Sequence, residues 1–222
     1  MIGRLILSVI AVFFPVITFA DVIHVPGDST TIQAAINGSV NGDTVMVAPG
    51  TYSGDGNRNL STGGKAITVT SSDGPFVTII DGGTIERGFD INGNEDSTTI
   101  LEGFTIMNVN TGVYCDSSAP TVRNMIVKDF LSYGIHFDGF LADPPIAPVV
   151  ENCLVYQERP DYQGIGNGFH GARSIDVTIT GSVFEGLTYG LEFHTLDNMV
   201  PHFNIEKCII RDHLVDGIWT HS

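Results

Sequence analysis

Gly134-Ile135-His136-Phe137-Asp138 is the stretch that decides the fold, because five other segments of the chain open in the same way. Each begins with a glycine, continues with an apolar residue and then alternates; they are residues 88–92, 112–116, 168–170, 190–194 and 217–221. The segments recur roughly every 22 to 34 residues, and self-similarity at such a period is typical of stacked repeat folds.

Alternation of this kind indicates a strand with one buried face. The residue after each glycine is predicted to point into the core: Phe89, Val113, Ile135, Phe169, Leu191 and Ile218. The next residue points outward and forms a first outer column: Asp90, Tyr114, His136, His170, Glu192 and Trp219. A second outer column lies two residues further on: Asn92, Asp116, Asp138, Ala172, His194 and His221. Most of these residues perform acid–base chemistry or contact sugars, so this face is the main functional clue.

A second pattern marks a corner in each repeat: apolar, any residue, glycine or asparagine, apolar, any residue, apolar. It occurs at residues 101–106, 122–127, 150–155, 179–184 and 205–210. Strict alternation fails at the third position, so we expect the chain to turn there. Glycine and asparagine tolerate the left-handed backbone that such a corner needs. Lys207 departs from the pattern, which predicts a slightly weaker corner in its repeat.

Three short strands separated by corners make up each repeat, and stacked repeats give parallel sheets around an apolar core. This pattern resembles the single-stranded, right-handed parallel β-helix of the pectate-lyase-like superfamily. The resemblance covers nearly the whole chain after residue 20 and implies an all-β fold. The coil pattern is fairly specific for the fold and is not specific for any activity.

The block that follows residue 20 is similar to the start of many bacterial exported β-helix proteins. Residues 30–33 form a capping-box pattern that opens a short helix. Ile32, Ala35 and Ile36 would form its apolar stripe, and Gly38 would end it. Such a helix would cover the open end of the core.

Residues 1–20 have the pattern of a secretory signal peptide, with Arg4 as the only charge, an apolar core and a small residue, Ala20, at the cleavage site. Residues 21–222 then form one β-helix domain, and we expect the protein to be a monomer that is secreted or at the cell surface. No other segment is apolar enough to span a bilayer. The chain opens another coil near residue 216 and stops there, so we expect it to be truncated at the C-terminus.

The composition is strongly acidic, with 25 Asp and Glu against 10 Lys and Arg and a net charge of −15. Phosphate binding needs clustered cations, so this balance argues against nucleic acid as a partner. A polyanionic glycan would also be repelled unless metal ions or a local arginine compensate. The charge therefore favours a neutral or calcium-bridged glycan.

The three cysteines, Cys115, Cys153 and Cys208, leave one unpaired in any disulfide scheme. Cys153 and Cys208 occupy equivalent positions two repeats apart, which places them ~10 Å from each other at the strand spacing of a sheet. That separation is too large for a disulfide. We predict three free, buried thiols.

The site is predicted on the outer face. The candidate catalytic residues are Asp138, His136, His170, Glu192 and Asp116. The candidate substrate-binding residues are Tyr114, Arg173, His194 and Trp219. The aromatic side chains among them would stack on sugar rings.

Two reaction types remain open for these residues. Hydrolysis needs two carboxyl groups across the scissile bond, and Asp138 could pair with a carboxylate on the neighbouring coil or with Glu192 two coils away. A β-elimination needs a base near the acidic C–H of a uronic acid, for which His136 or His170 would serve, and a cation such as Arg173 for the carboxylate.

The superfamily resemblance does not extend to catalytic motifs. The arginine base and aspartate-rich calcium site of known pectate lyases are not recognisable in this sequence. The aspartate and Gly-His-Gly motifs of polygalacturonases are also not found, and Phe169-His170-Gly171 is only a faint echo of the second. The resemblance therefore leaves the activity open.

Two longer connections, residues 139–148 and 156–167, flank the same face, where insertions in solenoids collect around functional sites. No metal ligand set and no cofactor are assigned. Histidines and carboxylates on adjacent coils have the chemistry to hold zinc, but no close-spaced ligand motif supports such a site. Calcium is an open alternative at an oxygen-rich loop that also suits a turn, formed by Asn92, Asn94, Glu95 and Asp96.

The sequence predicts an exported, carbohydrate-active β-helix protein that acts on a polysaccharide in a groove along one sheet. Its reaction would be that of a glycoside hydrolase or of a lyase or epimerase. The alternative is a non-catalytic cell-surface, adhesion or glycan-binding protein that uses the solenoid as a binding wall. Asp138→Asn separates these hypotheses, since it abolishes turnover in an enzyme and at most weakens binding in the alternative.

Overall fold

The computed structural model describes residues 20–84, 86–139, 145–159, 161, 165–194 and 202–221. The predicted signal peptide, apart from Ala20, lies outside these residues, and so does part of each flanking connection. The described part of the chain contains a single helix, α1 (Ile32–Gly38). Among these residues no helix is long and apolar enough to cross a membrane.

The strands form three parallel ladders, one for each side of the coil. The first ladder is a sheet with the order β1 (Val22–Val25), β2 (Thr44–Val47), β4 (Thr68–Ser71), β7 (Ile100–Glu102), β9 (Thr121–Arg123), β11 (Val149–Glu151), β14 (Asp176–Thr180), β17 (His202–Glu206). Every neighbour in it pairs in parallel, as a solenoid requires.

The second and third ladders belong to one sheet because two long strands, β8 (Thr105–Asp116) and β10 (Ile126–Gly139), run through both. The remaining second-ladder strands are β3 (Gly50–Ser53), β5 (Thr78–Asp81), β12 (Leu154–Tyr156), β15 (Val183–Glu185) and β18 (Ile209–Arg211). The remaining third-ladder strands are β6 (Arg87–Ile91), β13 (Asn167–Arg173), β16 (Tyr189–His194) and β19 (Asp216–His221). Three strands per coil are thus confirmed.

The inner face of the third ladder carries the predicted apolar column. Phe89, Val113, Ile135, Phe169 and Leu191 are all 0% exposed. Ile218 continues the column in register with Leu191, but its side chain is 49% exposed because no described residue packs over it. The hydrophobic alternation therefore predicted the core face at five of its six positions.

The corner between the first and second ladders has the predicted backbone. Its third position has a positive φ in every repeat: Gly103 (+80°), Asn124 (+53°), Asn152 (+51°), Gly181 (+60°) and Lys207 (+56°). A left-handed backbone costs a residue with an ordinary side chain about 1–2 kcal/mol. The backbone of Lys207 is therefore strained at this corner. Glycine avoids this strain at two of the other four positions, and asparagine reduces it at the other two.

A second set of left-handed residues marks the corner between the second and third ladders, which the sequence patterns did not reveal. These residues are Asn108, Asp129, Gly186 and Asp212. Two of them lie inside the long strands β8 and β10, where the chain turns without interrupting the sheet.

The N-terminal cap is present with one correction to its predicted contacts. Thr31 is the N-cap, and its hydroxyl accepts a hydrogen bond from the backbone N–H of Ala34 at 3.2 Å. The side chain of Gln33 does not close a capping box but exchanges hydrogen bonds with the backbone of Ser61. Ile32 and its predicted apolar partners are buried, so the helix does cover the core.

The three cysteines are free, as predicted. Cys115 and Cys153 are buried, whereas Cys208 is only half-buried, which corrects the prediction for that residue. Its coil carries exposed apolar side chains such as Ile209 and Leu214, so less structure packs over it. Burial raises the pKa of the Cys153 thiol to about 12, so this group stays protonated and inert.

Candidate functional site

The outer face of the third ladder brings together the residues that the sequence singled out. Strand register aligns the first predicted column through consecutive coils: Asp90, Tyr114, His136, His170, Glu192 and Trp219. It also aligns five residues of the second column: Asp116, Asp138, Ala172, His194 and His221. We call the side chains on this face the outer strip.

A third outer column was missed by the sequence analysis. It lies just before the repeated glycine of each coil and aligns Arg87, Thr111, Tyr133, Asn167, Tyr189 and Asp216. Its residue types vary, so no repeated motif reveals it. Each member lies three residues before the first column, a spacing that strict alternation assigns to the opposite face, so alternation did not predict it.

Stacked glycines fix the position of the outer strip. A Cβ atom built on Gly112 would lie 2.4 Å from the carbonyl oxygen of Gly134, and one on Gly134 would lie 2.6 Å from that of Gly168. The same close approach occurs at Gly88 and Gly190. Only glycine allows the backbones of successive coils to approach in this way, so the repeat that defines the fold also sets the register of the site.

The centre of the outer strip is a buried cluster around Glu192. Its carboxylate accepts a hydrogen bond from the side-chain amide of Asn167 and lies 2.8 Å from Nε2 of His194 and 3.8 Å from Nε2 of His170. The side chains of His170 and Glu192 are only 10% and 8% exposed, whereas that of His194 is 37% exposed. A buried carboxylate is thus held between two imidazoles.

Aromatic and imidazole rings from neighbouring coils pack against His170 of this cluster. The ring of Tyr133 lies 4.6 Å from that of His136 and 4.7 Å from that of His170, and the two imidazoles are 4.4 Å apart edge to face. Tyr114 adds an edge contact to His136 at 5.0 Å. These side chains therefore form one continuous ring cluster across three coils.

The environment keeps both central imidazoles neutral. Burial, with help from the charges of Arg87 and Arg173, lowers the pKa of His136 to about 4. Burial and the neighbouring His136 lower the pKa of His170 to about 3, although Glu192 acts in the opposite direction. Nε2 of His136 and Nδ1 of His170 are buried and form no hydrogen bond within the described part of the chain. Orphaned buried polar atoms of this kind are typical of functional sites.

Two arginines bring positive charge to the outer strip. Arg87 lies over the ring of Tyr114, 3.7 Å from its centroid, and pairs with Asp90 at 2.9 Å. Arg173, predicted as the cation for a substrate carboxylate, contacts both oxygens of Asp138 at 2.9 and 3.0 Å. The structure therefore couples a predicted binding residue directly to a predicted catalytic carboxylate.

The remaining candidates lie at the edges of the outer strip. Asp116 is aligned with Asp138 on the adjacent strand, and its carboxylate accepts a hydrogen bond from the hydroxyl of Ser117 at 3.0 Å. At the other end, Trp219 stacks against the ring of Tyr189 and against that of His221, with a centroid distance of 5.1 Å in each pair. This stack gives that end a broad aromatic surface.

In the oxygen-rich loop considered for calcium, the buried carboxylate of Glu95 accepts hydrogen bonds from the protein itself. Glu95 is 5% exposed. It accepts hydrogen bonds from the hydroxyls of Thr62 and Ser118 and from the backbone N–H groups of Gly64 and Gly93. Calcium binding through Glu95 would require breaking these bonds, and the calcium site stays a prediction.

A separate groove lies on the opposite part of the coil, at the corner between the first and second ladders. It has a volume of about 530 Å³, and its lining includes Phe76, Glu102 and Asn124. Phe76 is 84% exposed. None of the predicted site residues lines this groove, so it is a separate candidate surface for binding a polysaccharide and not part of the outer strip.

Comparison by sequence finds no match: no protein family model and no curated protein matches the chain. Comparison of structures finds pectate lyase Pel9A with a TM-score of 0.53 and 12% identity, covering 83% of this chain and 58% of Pel9A. The fold is a right-handed parallel β-helix. The A-module of the Azotobacter vinelandii mannuronan C-5 epimerase AlgE6 is also found, with a TM-score of 0.31 and 11% identity over 85% of this chain and 74% of the module. The predicted fold class is thus confirmed, and at this identity the likeness concerns the fold alone.

Proposed function

We propose that this β-helix protein acts on a polysaccharide bound along the outer strip, and that its reaction is proton transfer at a uronic-acid residue. The net charge alone favours a neutral or calcium-bridged glycan, but Arg87 and Arg173 provide local positive charge for an acidic one. The observation that carries the proposal is the ring cluster of Tyr133, His136 and His170, in which three proton-transfer side chains are in mutual contact. Histidine and tyrosine are common general acids and bases. Pectate lyase Pel9A, which shares the fold, is by its name a lyase acting on pectate.

The length and composition of the outer strip suit a linear polymer. Equivalent residues on successive coils are ~4.8 Å apart, so the six coils present a surface long enough for several sugar units. Tyr114 lies towards one end and Trp219 at the other, and aromatic faces pack favourably on the apolar faces of sugar rings. The proton-transfer groups lie between these two binding platforms.

In the proposed step, His136 removes the proton at C5, next to the carboxylate of the uronic acid, and Arg173 exchanges Asp138 for that carboxylate and stabilises its negative charge. In elimination, the C4–O bond then breaks, a C4=C5 double bond forms, and Tyr133 donates a proton to the leaving oxygen. In epimerisation, the C4–O bond stays intact, His136 keeps the proton that it removed, and Tyr133 donates its own proton to the opposite face of C5. Each route needs an acid and a base that act together, and the two rings are in contact.

The carboxylates of the outer strip fit hydrolysis less well. A hydrolase needs one carboxylic acid to donate a proton and a second carboxylate across the bond. Both oxygens of Asp138 contact Arg173, and Glu192 is held by an amide and an imidazole. These pairings occupy the groups that hydrolysis requires.

A non-catalytic binding wall is the second candidate function. It is favoured by the burial of the two orphaned imidazole nitrogens, which a substrate could reach only if side chains moved. In that case the aromatic surface around Trp219 would bind a glycan without transforming it. Export to the cell exterior is part of both proposals and rests on the pattern of residues 1–20.

The test is incubation of the full chain with polyuronates and with neutral polysaccharides in deuterated water. Unsaturated products or incorporation of deuterium at C5 would support the proposal, and both should fall at least about 100-fold in His136→Gln and Tyr133→Phe. Tyr52→Phe is the matched control, since Tyr52 lies in β3 and donates to the backbone carbonyl of Ala48. New reducing ends without unsaturation or deuterium would overturn proton transfer in favour of hydrolysis. Binding without any product would favour the binding wall.

A further inference from the structure

The cluster at the centre of the outer strip has the composition of a metal site. One potential ligand atom from each of His170, Glu192 and His194 lies within 4.8 Å of the others. The three residues come from two adjacent strands, β13 and β16, so the parallel ladder fixes their relative positions. No motif in the sequence reveals this set, because the two histidines are far apart along the chain.

The distances are close to those around a tetrahedral ion. Nitrogen and oxygen ligands ~2.1 Å from zinc at tetrahedral angles lie ~3.4 Å apart. Oε1 of Glu192 lies 2.8 Å from Nε2 of His194, and Oε2 lies 3.8 Å from Nε2 of His170, values on either side of that separation.

Burial gives independent support. The side chain of His170 is nine-tenths buried, and its Nε2 is the ring nitrogen that lies 3.8 Å from Glu192. Glu192 is a buried carboxylate whose partners are one amide and imidazole rings, with no arginine or lysine paired to it among the described residues. A buried carboxylate is costly without a compensating cation, and a bound metal ion supplies one.

We propose that His170, Glu192 and His194 bind one divalent transition-metal ion, with zinc as the type case. Two imidazoles and one carboxylate are the ligand set of open zinc sites, in which water or a substrate oxygen completes the coordination. Calcium and magnesium prefer all-oxygen sites, so the two nitrogens select against them. His194 is 37% exposed, which provides a path from solvent.

Asn167 has a positioning role in this site. Its side-chain amide donates to Oε2 of Glu192 and so fixes the rotation of the carboxylate. Outer partners of this kind orient metal ligands, and their loss costs about 10–100-fold in affinity. The metal site goes beyond the proposed reaction and does not depend on it, since binding can be measured with no polysaccharide present.

The test is titration of the full chain with Zn²⁺ by calorimetry, and with Co²⁺ as a spectroscopic probe. We expect one ion per chain and a Co²⁺ spectrum of a four- or five-coordinate nitrogen–oxygen site. Glu192→Gln, which keeps the shape of the side chain, and His194→Ala, at a partly exposed position, should each weaken Zn²⁺ binding by about 100-fold or more. Asn167→Ala should weaken it less, by about tenfold.

His202→Ala is the control, because His202 and Asp176 form an exposed histidine–carboxylate pair elsewhere on the surface, 3.1 Å apart. It should leave Zn²⁺ affinity unchanged. Circular dichroism verifies that each variant is folded. The proposal is overturned if the folded protein binds no stoichiometric Zn²⁺ or Co²⁺, or if Ca²⁺ competes equally for the site. It is also overturned if His202→Ala removes binding, or if Glu192→Gln and His194→Ala both leave it intact.

Discussion

The outer faces of the first and third ladders differ sharply although the same coils build both. Along the first ladder the outward positions carry ordinary strand residues such as Thr70, Glu102, Arg123 and Thr180. Its charges form surface pairs, for example Arg123 with Glu102 at 2.9 Å. The third ladder instead presents histidines, tyrosines and a tryptophan in contact with one another. The inner columns thus specify the fold on every side, and the outer columns carry the proposed site on one side.

The largest expected effect is a loss of enzymatic activity when the outer face of the third ladder is changed, but not when that of the first ladder is changed. His136→Gln should reduce product formation at least about 100-fold, because it removes the proposed base while the isosteric amide keeps the packing. Thr180→Val, on the outer face of the first ladder, should leave activity unchanged. Product assays on both variants provide the comparison, and equal losses in the two would show that the outer strip has no special role.

A second prediction concerns the glycine column that supports the outer strip. Gly134→Ala should lower the free energy of unfolding by about 3 kcal/mol, because the new Cβ would lie 2.4 Å from a methyl carbon of Val155 and 2.6 Å from the carbonyl oxygen of Gly168. Gly38→Ala is the control, since nothing lies within 4 Å of its added Cβ. Urea unfolding measures both, and a Gly134→Ala protein as stable as the control would contradict the stacking argument.

The buried carboxylate of Glu95 provides a third prediction, outside both outer faces. Burial alone would raise its pKa, but hydrogen bonds from Thr62, Gly64 and Ser118 outweigh that effect and hold the pKa below its ordinary value of 4.5. The stabilisation is therefore fully present above pH 4.5 and is lost as the pH falls through the lower pKa of the folded state.

Glu95→Gln should cost about 2 kcal/mol at neutral pH, since it weakens charge-assisted hydrogen bonds to a buried group. It should also flatten the loss of stability below pH 4.5. Asp55→Asn, at a fully exposed side chain, should change the free energy of unfolding by less than about 0.5 kcal/mol. Unfolding curves recorded from neutral to acidic pH give both values, and an unchanged pH dependence in Glu95→Gln would count against the proposed role.

The smallest expected effect is at the corner beside the first ladder. Lys207→Asn should stabilise the protein by about 0.5–1 kcal/mol, because asparagine tolerates the left-handed backbone better than lysine. Asn152→Ala, at the equivalent corner two coils earlier, should destabilise it by a similar amount. Thermal unfolding of the pair tests the corner rule, which fails if both substitutions shift stability in the same direction.

How far the sequence predicts this molecule depends on whether a feature repeats. Alternation placed Phe89 and its successors in the core and aligned Tyr114, His136 and His170 on one outer face, because both follow from the period of a strand. The corner glycines and asparagines followed from the same repetition.

Features that occur once were not predictable in this way. The contact of Arg173 with Asp138 and that of Asn167 with Glu192 depend on which coils are adjacent, and no single repeat contains both partners. The inward orientation of Glu95 was missed for a similar reason, since three of its four donors come from loops 23 to 33 residues away in the chain. The local composition of that loop suggested calcium instead.

The central claim is that the outer strip, and not the groove around Phe76, binds the polysaccharide. The most direct test is the affinity of the full chain for each polysaccharide, measured for Trp219→Ala and for Phe76→Ala. Each substitution removes one aromatic ring, and the loss of a ring that stacks on a sugar costs up to about tenfold in affinity. We predict that loss for Trp219→Ala and unchanged affinity for Phe76→Ala. Unchanged binding by Trp219→Ala with a loss in Phe76→Ala would contradict it and place the glycan in the groove.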